Sequence, residues 1–267
     1  MTFTGFKVKY PVYEVITPQT KNSFTLRSLS VSEEERLKGS LVTPMKIADH
    51  LNSCIFDSVV KKPEGMSDLI SFLKKTTLKD RDALLYGLYH ITYEEIRNYQ
   101  VKCRECSTEY TVTVQASSTF NFNAYPGEDI IKERCTFELP VTKGVFVTLK
   151  QPTLFDEMIG IKNLASRPGS TLELITETLI IEKFEQDVEE KKEPIVYSDR
   201  IDVIDAYMTL PAKDKREIFK QYSERFGKYG IELKMKSNCT SCGHEDVFNL
   251  DLVESFFRSL YSAWRYN

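Results

Sequence analysis

The sequence predicts an α+β fold: an N-terminal β-hairpin plus helices, then a four-cysteine unit split by a long, mainly helical insertion. Three observations carry this. Residues 6–29 alternate apolar and polar side chains with the period of a strand. Apolar stripes at helical spacing follow, and they return after residue 152. Two Cys-x-x-Cys motifs, Cys103/Cys106 and Cys239/Cys242, each lie between runs that read as strands.

Each element has a local reason. Phe6, Val8 and Tyr10 alternate and lead into Val12 to Ile16; a polar turn at Pro18 to Asn22 then returns the chain through Ser23 to Leu29. Ser30 and Glu33 have capping-box spacing, and Glu33 to Glu35 suit the positive end of a helix dipole. Pro44 opens a helix reaching about Ser58, with Ile47, Leu51 and Ile55 on one stripe. Ser67 to Lys74 and Thr77 to Ile91 are further helices. Ile96 to Lys102 and Tyr110 to Val114 read as strands around the first cysteine pair.

Residues 120–137 read as a loop containing Pro126 and Gly127, followed by strands at Thr136 to Leu139 and Val145 to Lys150. Helices are expected at Leu154 to Ala165, Thr171 to Phe184, Ile201 to Met208 and Ala212 to Phe226. The charged run Glu185 to Glu193 reads as a solvated helix end or loop. Ile231 to Lys236 and Val247 to Leu252 are strands around the second cysteine pair, and Val253 to Tyr266 is an amphipathic helix. The chain thus divides into a hairpin and helical region (1–95), a first cysteine turn with strands (96–150), a helical insertion (151–230), and a second cysteine turn with an aromatic C-terminal helix (231–267). No internal repeat is expected beyond the two Cys-x-x-Cys units.

Composition narrows the function. A chain of 267 residues with 41% hydrophobic content can bury a substantial core. A net charge of -3 lacks the basic surplus of a dedicated duplex-binding protein. No run has the length of a membrane span or of a signal peptide's apolar core, so a soluble cytosolic protein is expected, and cysteines there favour metal over disulfides.

A tight turn holding two cysteines aims both thiolates at one point. Two such turns complete a tetrahedral four-thiolate site with no open position for a substrate. Cys103, Cys106, Cys239 and Cys242 are therefore read as one structural Zn2+ site per chain, a zinc-ribbon-like unit. With 132 residues between Cys106 and Cys239, the metal would close a long loop. Redox-active pairs normally sit at helix starts, which these do not. Separate unfilled turns remain an alternative, and His244 or Cys135 could replace a ligand. Cys54, His50 and His90 fall in helical patterns and read as structural. No catalytic constellation is present: GxGxxG, Walker, HExxH and GxSxG patterns are all missing. Phe256, Phe257, Leu260, Tyr261 and Trp264 share one helix face, which either caps the cysteine unit's own core or docks a partner.

Five segments in order carry a family resemblance: "FTLRSLSVSEEERL", "DHLNSCIFDSV", "VKCRECSTEYTVTV", "FELPVTKGVFVTLKQPTLFDE" and "CTSCGHEDVFNLDLVESFF". The series resembles the baseplate hub and tail-assembly proteins of T-even-type contractile-tailed bacteriophages. The matching positions are Phe24 to Glu35, Cys54 with Phe56, Cys103 with Cys106, and Leu149 to Leu154; "LRSL" stands where an Arg-Pro step is expected. The resemblance implies a non-enzymatic protein, either a hub subunit of the virion or an assembly chaperone. It would contact other hub or tail proteins, in the host cytoplasm during assembly or in the tail baseplate. The alternative is a zinc-ribbon nucleic-acid-binding protein, since Lys102, Arg104, Lys234 and Lys236 flank the cysteine turns.

Overall fold

The computed structural model describes residues 8–39, 44–93, 96–115, 120–166, 171–187 and 193–249. Strands β1 (Val12–Ile16) and β2 (Ser23–Arg27) form an antiparallel hairpin with Val15 opposite Phe24 and Tyr13 opposite Leu26. Phe24 and Leu26 are buried on one face, as period two requires. Helix α1 (Val31–Gly39) starts at the expected capping box: the Ser30 N–H and hydroxyl donate to the Glu33 carboxylate at 2.8 and 2.7 Å. Arg27 donates twice to the same carboxylate. Helix α2 (Pro44–Ser58) leads to β3 (Val59–Lys61), which pairs with β2, and α3 (Leu69–Lys75) and α4 (Leu78–Thr92) follow. Helix α4 lies directly on the hairpin; a Cβ at Gly87 would come within 2.3 Å of the Val15 side chain.

The chain continues through β4 (Ile96–Lys102), β5 (Glu109–Gln115) and β6 (Phe120–Asn123). Next come β7 (Arg134–Glu138), β8 (Val145–Lys150), α5 (Leu154–Ser166), α6 (Leu172–Thr178), β9 (Ile181–Gln186) and β10 (Ile195–Tyr197). Helices α7 (Arg200–Thr209) and α8 (Ala212–Tyr222), a π-helical turn (Ser223–Gly227), β11 (Gly230–Asn238) and β12 (Glu245–Asn249) close the described chain.

Two segments depart from the expectation. The helix expected through Phe184 ends at Thr178, and β9 takes over. Ile181 and Phe184 are buried and lie opposite Leu149 and Val147, so pairing with β8 overrides the local apolar pattern. The insertion is mainly helical as expected, with β9 and β10 as its strands, extending a sheet of order β10-β9-β8-β7. The segment expected as loop contains β6, too short to declare itself without its partner β11. The expected C-terminal helix lies outside the described residues.

The second half repeats the plan of the first, beyond the two cysteine motifs. In sheet β1-β2-β3, Thr25 pairs with Lys61 and Leu26 with Val59, with a register shift between Thr25 and Leu26. In the counterpart, Thr148 pairs with Lys183 and Leu149 with Ile181, with the shift between Thr148 and Leu149. The cap recurs too: Lys150 bonds Asp156 at 2.7 Å, and Asp156 accepts from the Thr153 N–H and hydroxyl, both at 2.9 Å. So does a buried clamp on each hairpin turn. Asp80, in the first turn of α4, accepts from Gln19 N–H (2.8 Å), Thr20 N–H (3.2 Å) and Thr20 hydroxyl (2.7 Å). Asp214, in the first turn of α8, accepts from Val141 N–H (2.8 Å), Thr142 N–H (3.0 Å) and Thr142 hydroxyl (2.6 Å). Strand β10 is the second half's addition.

Each half has its own core. One contains Phe24, Leu26, Phe72 and Leu84, the other Leu149, Phe184, Tyr207 and Phe226. The halves dock through α5, which packs on α2 and α3. Arg81 pairs with Glu157, and Leu154 N–H donates to Thr76 O at 2.9 Å. Leu154 and Ile231 from the second half complete the first core.

Candidate metal centre

Each half ends in a hairpin whose tip carries a cysteine pair. In the first, β4 and β5 pair from Ile96↔Gln115 to Lys102↔Glu109. Cys103 N–H donates to Thr108 O and Ser107 N–H to Cys103 O, both at 3.0 Å. In the second, Cys239 N–H donates to His244 O and Gly243 N–H to Cys239 O, both at 2.9 Å. The residue after the second cysteine is left-handed in each: Ser107 has φ 60° and Gly243 φ 73°. That backward turn leaves the first cysteine of each pair buried and the second exposed, with both sulfurs on one side.

The tips face each other. Cys103 Sγ lies 3.7 Å from Cys242 Sγ, Cys106 Sγ lies 3.6 Å from Cys239 Sγ, and all four sulfurs are within 4.8 Å of one another. A tetrahedron with metal–sulfur bonds of about 2.3 Å needs sulfurs about 3.8 Å apart. A disulfide needs about 2.05 Å, and all four cysteines are free. The donor set and spacing therefore fit one thiophilic cation.

Among the described residues, little else joins the tips. The hairpins belong to separate sheets, and the cluster between them is small: Cys103, Tyr110, Val112 and Cys239 are buried, with Tyr99, Val101 and Phe248 against them. The clustered thiols differ in acidity. Contact with the Thr108 side chain, then its backbone, holds the Cys106 thiol down to about 6. The His244 backbone pulls the Cys242 thiol down, but its sulfur neighbours, Cys106 first, and desolvation push it up to about 12. Four clustered thiolates resist joint ionisation until a dication offsets their repulsion.

The four sequence-chosen cysteines come together, and neither His244 nor Cys135 joins them. The imidazole Nε2 of His244 lies 3.6 Å from Asp246 Oδ1, while Cys135 pairs with Leu149 inside a sheet. Burial pushes the Cys54 thiol up to about 12, as suits an inert core residue. His50 and His90 lie on α2 and α4, with His90 stacked on Tyr86. Phe256, Phe257, Leu260, Tyr261 and Trp264 lie outside the described residues. Sequence reasoning missed Asp246, a buried carboxylate beside the cluster, 3.9 Å from Arg104 Nε. Its place in β12, facing inward beneath the turn, was the available signal.

One family model, described as T4 bacteriophage base plate protein, matches residues 10–258, spanning both halves and both cysteine turns. The chain belongs to this family. Searches of the curated proteins and of the solved structures give no significant match. Membership in the base plate family points to a structural or assembly role among phage proteins. Among the described residues, no helix is long and apolar enough to cross a membrane.

Proposed function

We propose that this base plate family member is a non-enzymatic baseplate hub subunit or hub assembly factor whose two halves are locked together by one structural Zn2+. One observation carries the metal reading: four sulfurs within 4.8 Å, contributed by two hairpins that share no sheet. Cys103, Cys106, Cys239 and Cys242 hold the ion in a closed, zinc-ribbon-like site, which leaves it no open position for chemistry. Its contribution is rigidity, fixing two hairpins that a small apolar cluster holds poorly by itself. The partners are other hub or tail proteins, met in the host cytoplasm during assembly.

Metal analysis of purified protein should find about one zinc per chain; absence of metal removes the lock. Mass spectrometry of purified virions, set beside pull-downs from infected cells, separates the two hub roles. A subunit is found in both, an assembly factor in the cells alone. Absence of tail proteins from the pull-down overturns both. The nucleic-acid alternative has weaker support: Arg104 sits beside Asp246 and Lys236 bonds Glu245 at 3.0 Å, so two of the four flanking cations face acids. Tight, strongly salt-dependent DNA retention on a filter would reverse that preference.

A further inference from the structure

The repeat carries the contact that docks the halves twice, and the chain uses it once. Where α3 passes into α4, Leu78 N–H donates to Pro152 O at 3.3 Å and Leu154 N–H to Thr76 O at 2.9 Å. Thr77 and Thr153 thereby face each other as an isolated antiparallel bridge. Leu154 is fully buried in the first core, and Arg81 pairs with Glu157 beside it. Leu78 packs on the cluster that holds Ile204, which is 1% exposed.

The matched clamps and caps fix which residues correspond. Asp214 stands for Asp80, so Pro211, Ala212 and Lys215 stand for Thr77, Leu78 and Arg81. Ser30 and Glu33 stand for Thr153 and Asp156, so Val31 and Glu34 stand for Leu154 and Glu157. Counted back from the C-caps Thr76 and Leu210, Ile70 stands for Ile204.

Among the described residues, these counterpart corners stay open. Val31 is 76% exposed where Leu154 is buried, and Ile70 is 47% exposed where Ile204 is covered. Thr76 and Thr77 are buried, whereas Pro211 and Ala212 are exposed. The docking chemistry is nevertheless kept. Lys215 supplies the cation of Arg81, and Glu34 the anion of Glu157. Val31 and Ala212 open α1 and α8, and the first N–H of a helix has no partner within it. The two bridge bonds are donated by Leu78 and Leu154, so proline at the Thr77 position removes neither.

We propose that a second copy of this chain docks its β2–α1 corner onto the α7–α8 corner of the first, repeating between chains the contact that joins the halves within one. Val31 of the second copy takes the place of Leu154, its Ile70 lies against Ala212, and its Glu34 meets Lys215. The contact is heterologous: each chain uses one corner and presents the other, so copies add head to tail and form a ring where the rotation closes. This reading rests on neither the metal nor the base plate role.

Sedimentation velocity on the intact chain tests it, and mass should rise with concentration above that of one chain. Val31→Glu spoils one corner and Lys215→Glu the other. Each should weaken association by about tenfold or more, through a charge brought onto an apolar site or against a like charge, while circular dichroism stays unchanged. Mixed, the two variants should form one-to-one pairs and nothing larger, because each keeps one sound corner. A chain that is monomeric at every concentration overturns the proposal. So does association that either substitution leaves intact, or variants that fail to pair. Should Val31→Glu fail to fold, Lys215→Glu and its rescue by Glu34→Lys in the same chain decide the matter, and a double variant that stays monomeric overturns it.

Discussion

The two hairpin turns clamped by Asp80 and Asp214 and the two cysteine hairpins are both repeated pairs, yet they are stabilised differently. Each clamped turn backs onto a large apolar core, and its aspartate is fully buried among three donors. Each cysteine hairpin backs onto a small cluster, and its twin is in a separate sheet. Where core is plentiful, buried hydrogen bonds suffice to fix a turn. Where core is scarce, the proposed metal would supply what burial does not.

The largest expected effect falls on the cysteine hairpins. Cys239→Ser should lose zinc and with it metal-binding free energy on the order of 10 kcal/mol. Hydrogen exchange should rise in both cysteine hairpins, β4–β5 as well as β11–β12, while circular dichroism keeps the helical signal of the two cores. Unchanged metal content in this variant would break the contrast.

The clamps come next. Asp80→Ala and Asp214→Ala each strand two backbone N–H groups and a hydroxyl, and each should cost about 3 kcal/mol in urea unfolding. If one aspartate proves dispensable, the two clamps are equivalent in geometry alone.

Asp80 also gives the first clamp a pH dependence. Burial raises its pKa from 3.8 to about 6, against the hydrogen bonds from Gln19 and Thr20 that lower it. A raised carboxyl pKa means that the folded state binds the extra proton. Its contribution is full below about pH 4 and is lost as pH rises through about 6, amounting to about 3 kcal/mol. Asp80→Asn should flatten stability between these limits relative to the unaltered chain. The Glu33 carboxyl, held down to about 2 mainly by Arg27, works in the opposite sense: its contribution is present above 4.5 and lost towards pH 2.

The smallest expected effect compares the cysteine tips with each other. Ser107 and Gly243 occupy the same left-handed position, which glycine adopts without strain. Ser107→Gly should stabilise by about 0.5–1 kcal/mol and Gly243→Ser destabilise by a similar amount, read from thermal unfolding with metal bound. No atom lies within 4 Å of a Cβ at Gly243, so the cost there is backbone strain and not a clash.

The sequence by itself determined every feature whose cause is local. The first hairpin follows from alternation, α1 from the Ser30–Glu33 box, and the cysteine tips from Cys-x-x-Cys between strands. Choosing four cysteines that come together needed only residue type and spacing, because four thiols at that spacing suit one tetrahedral site. Tertiary structure decided what depends on a distant partner. Strand β6 exists because β11 lies beside it, and β9 is a strand because β8 gives Ile181 and Phe184 a face to cover. The repeat of the two halves was legible only in three dimensions. Its defining pairs, Thr20 with Asp80 and Thr142 with Asp214, match in role and position while the chain between their members differs in length. Local propensity records a residue's neighbours in the chain, and these contacts are made with neighbours in space.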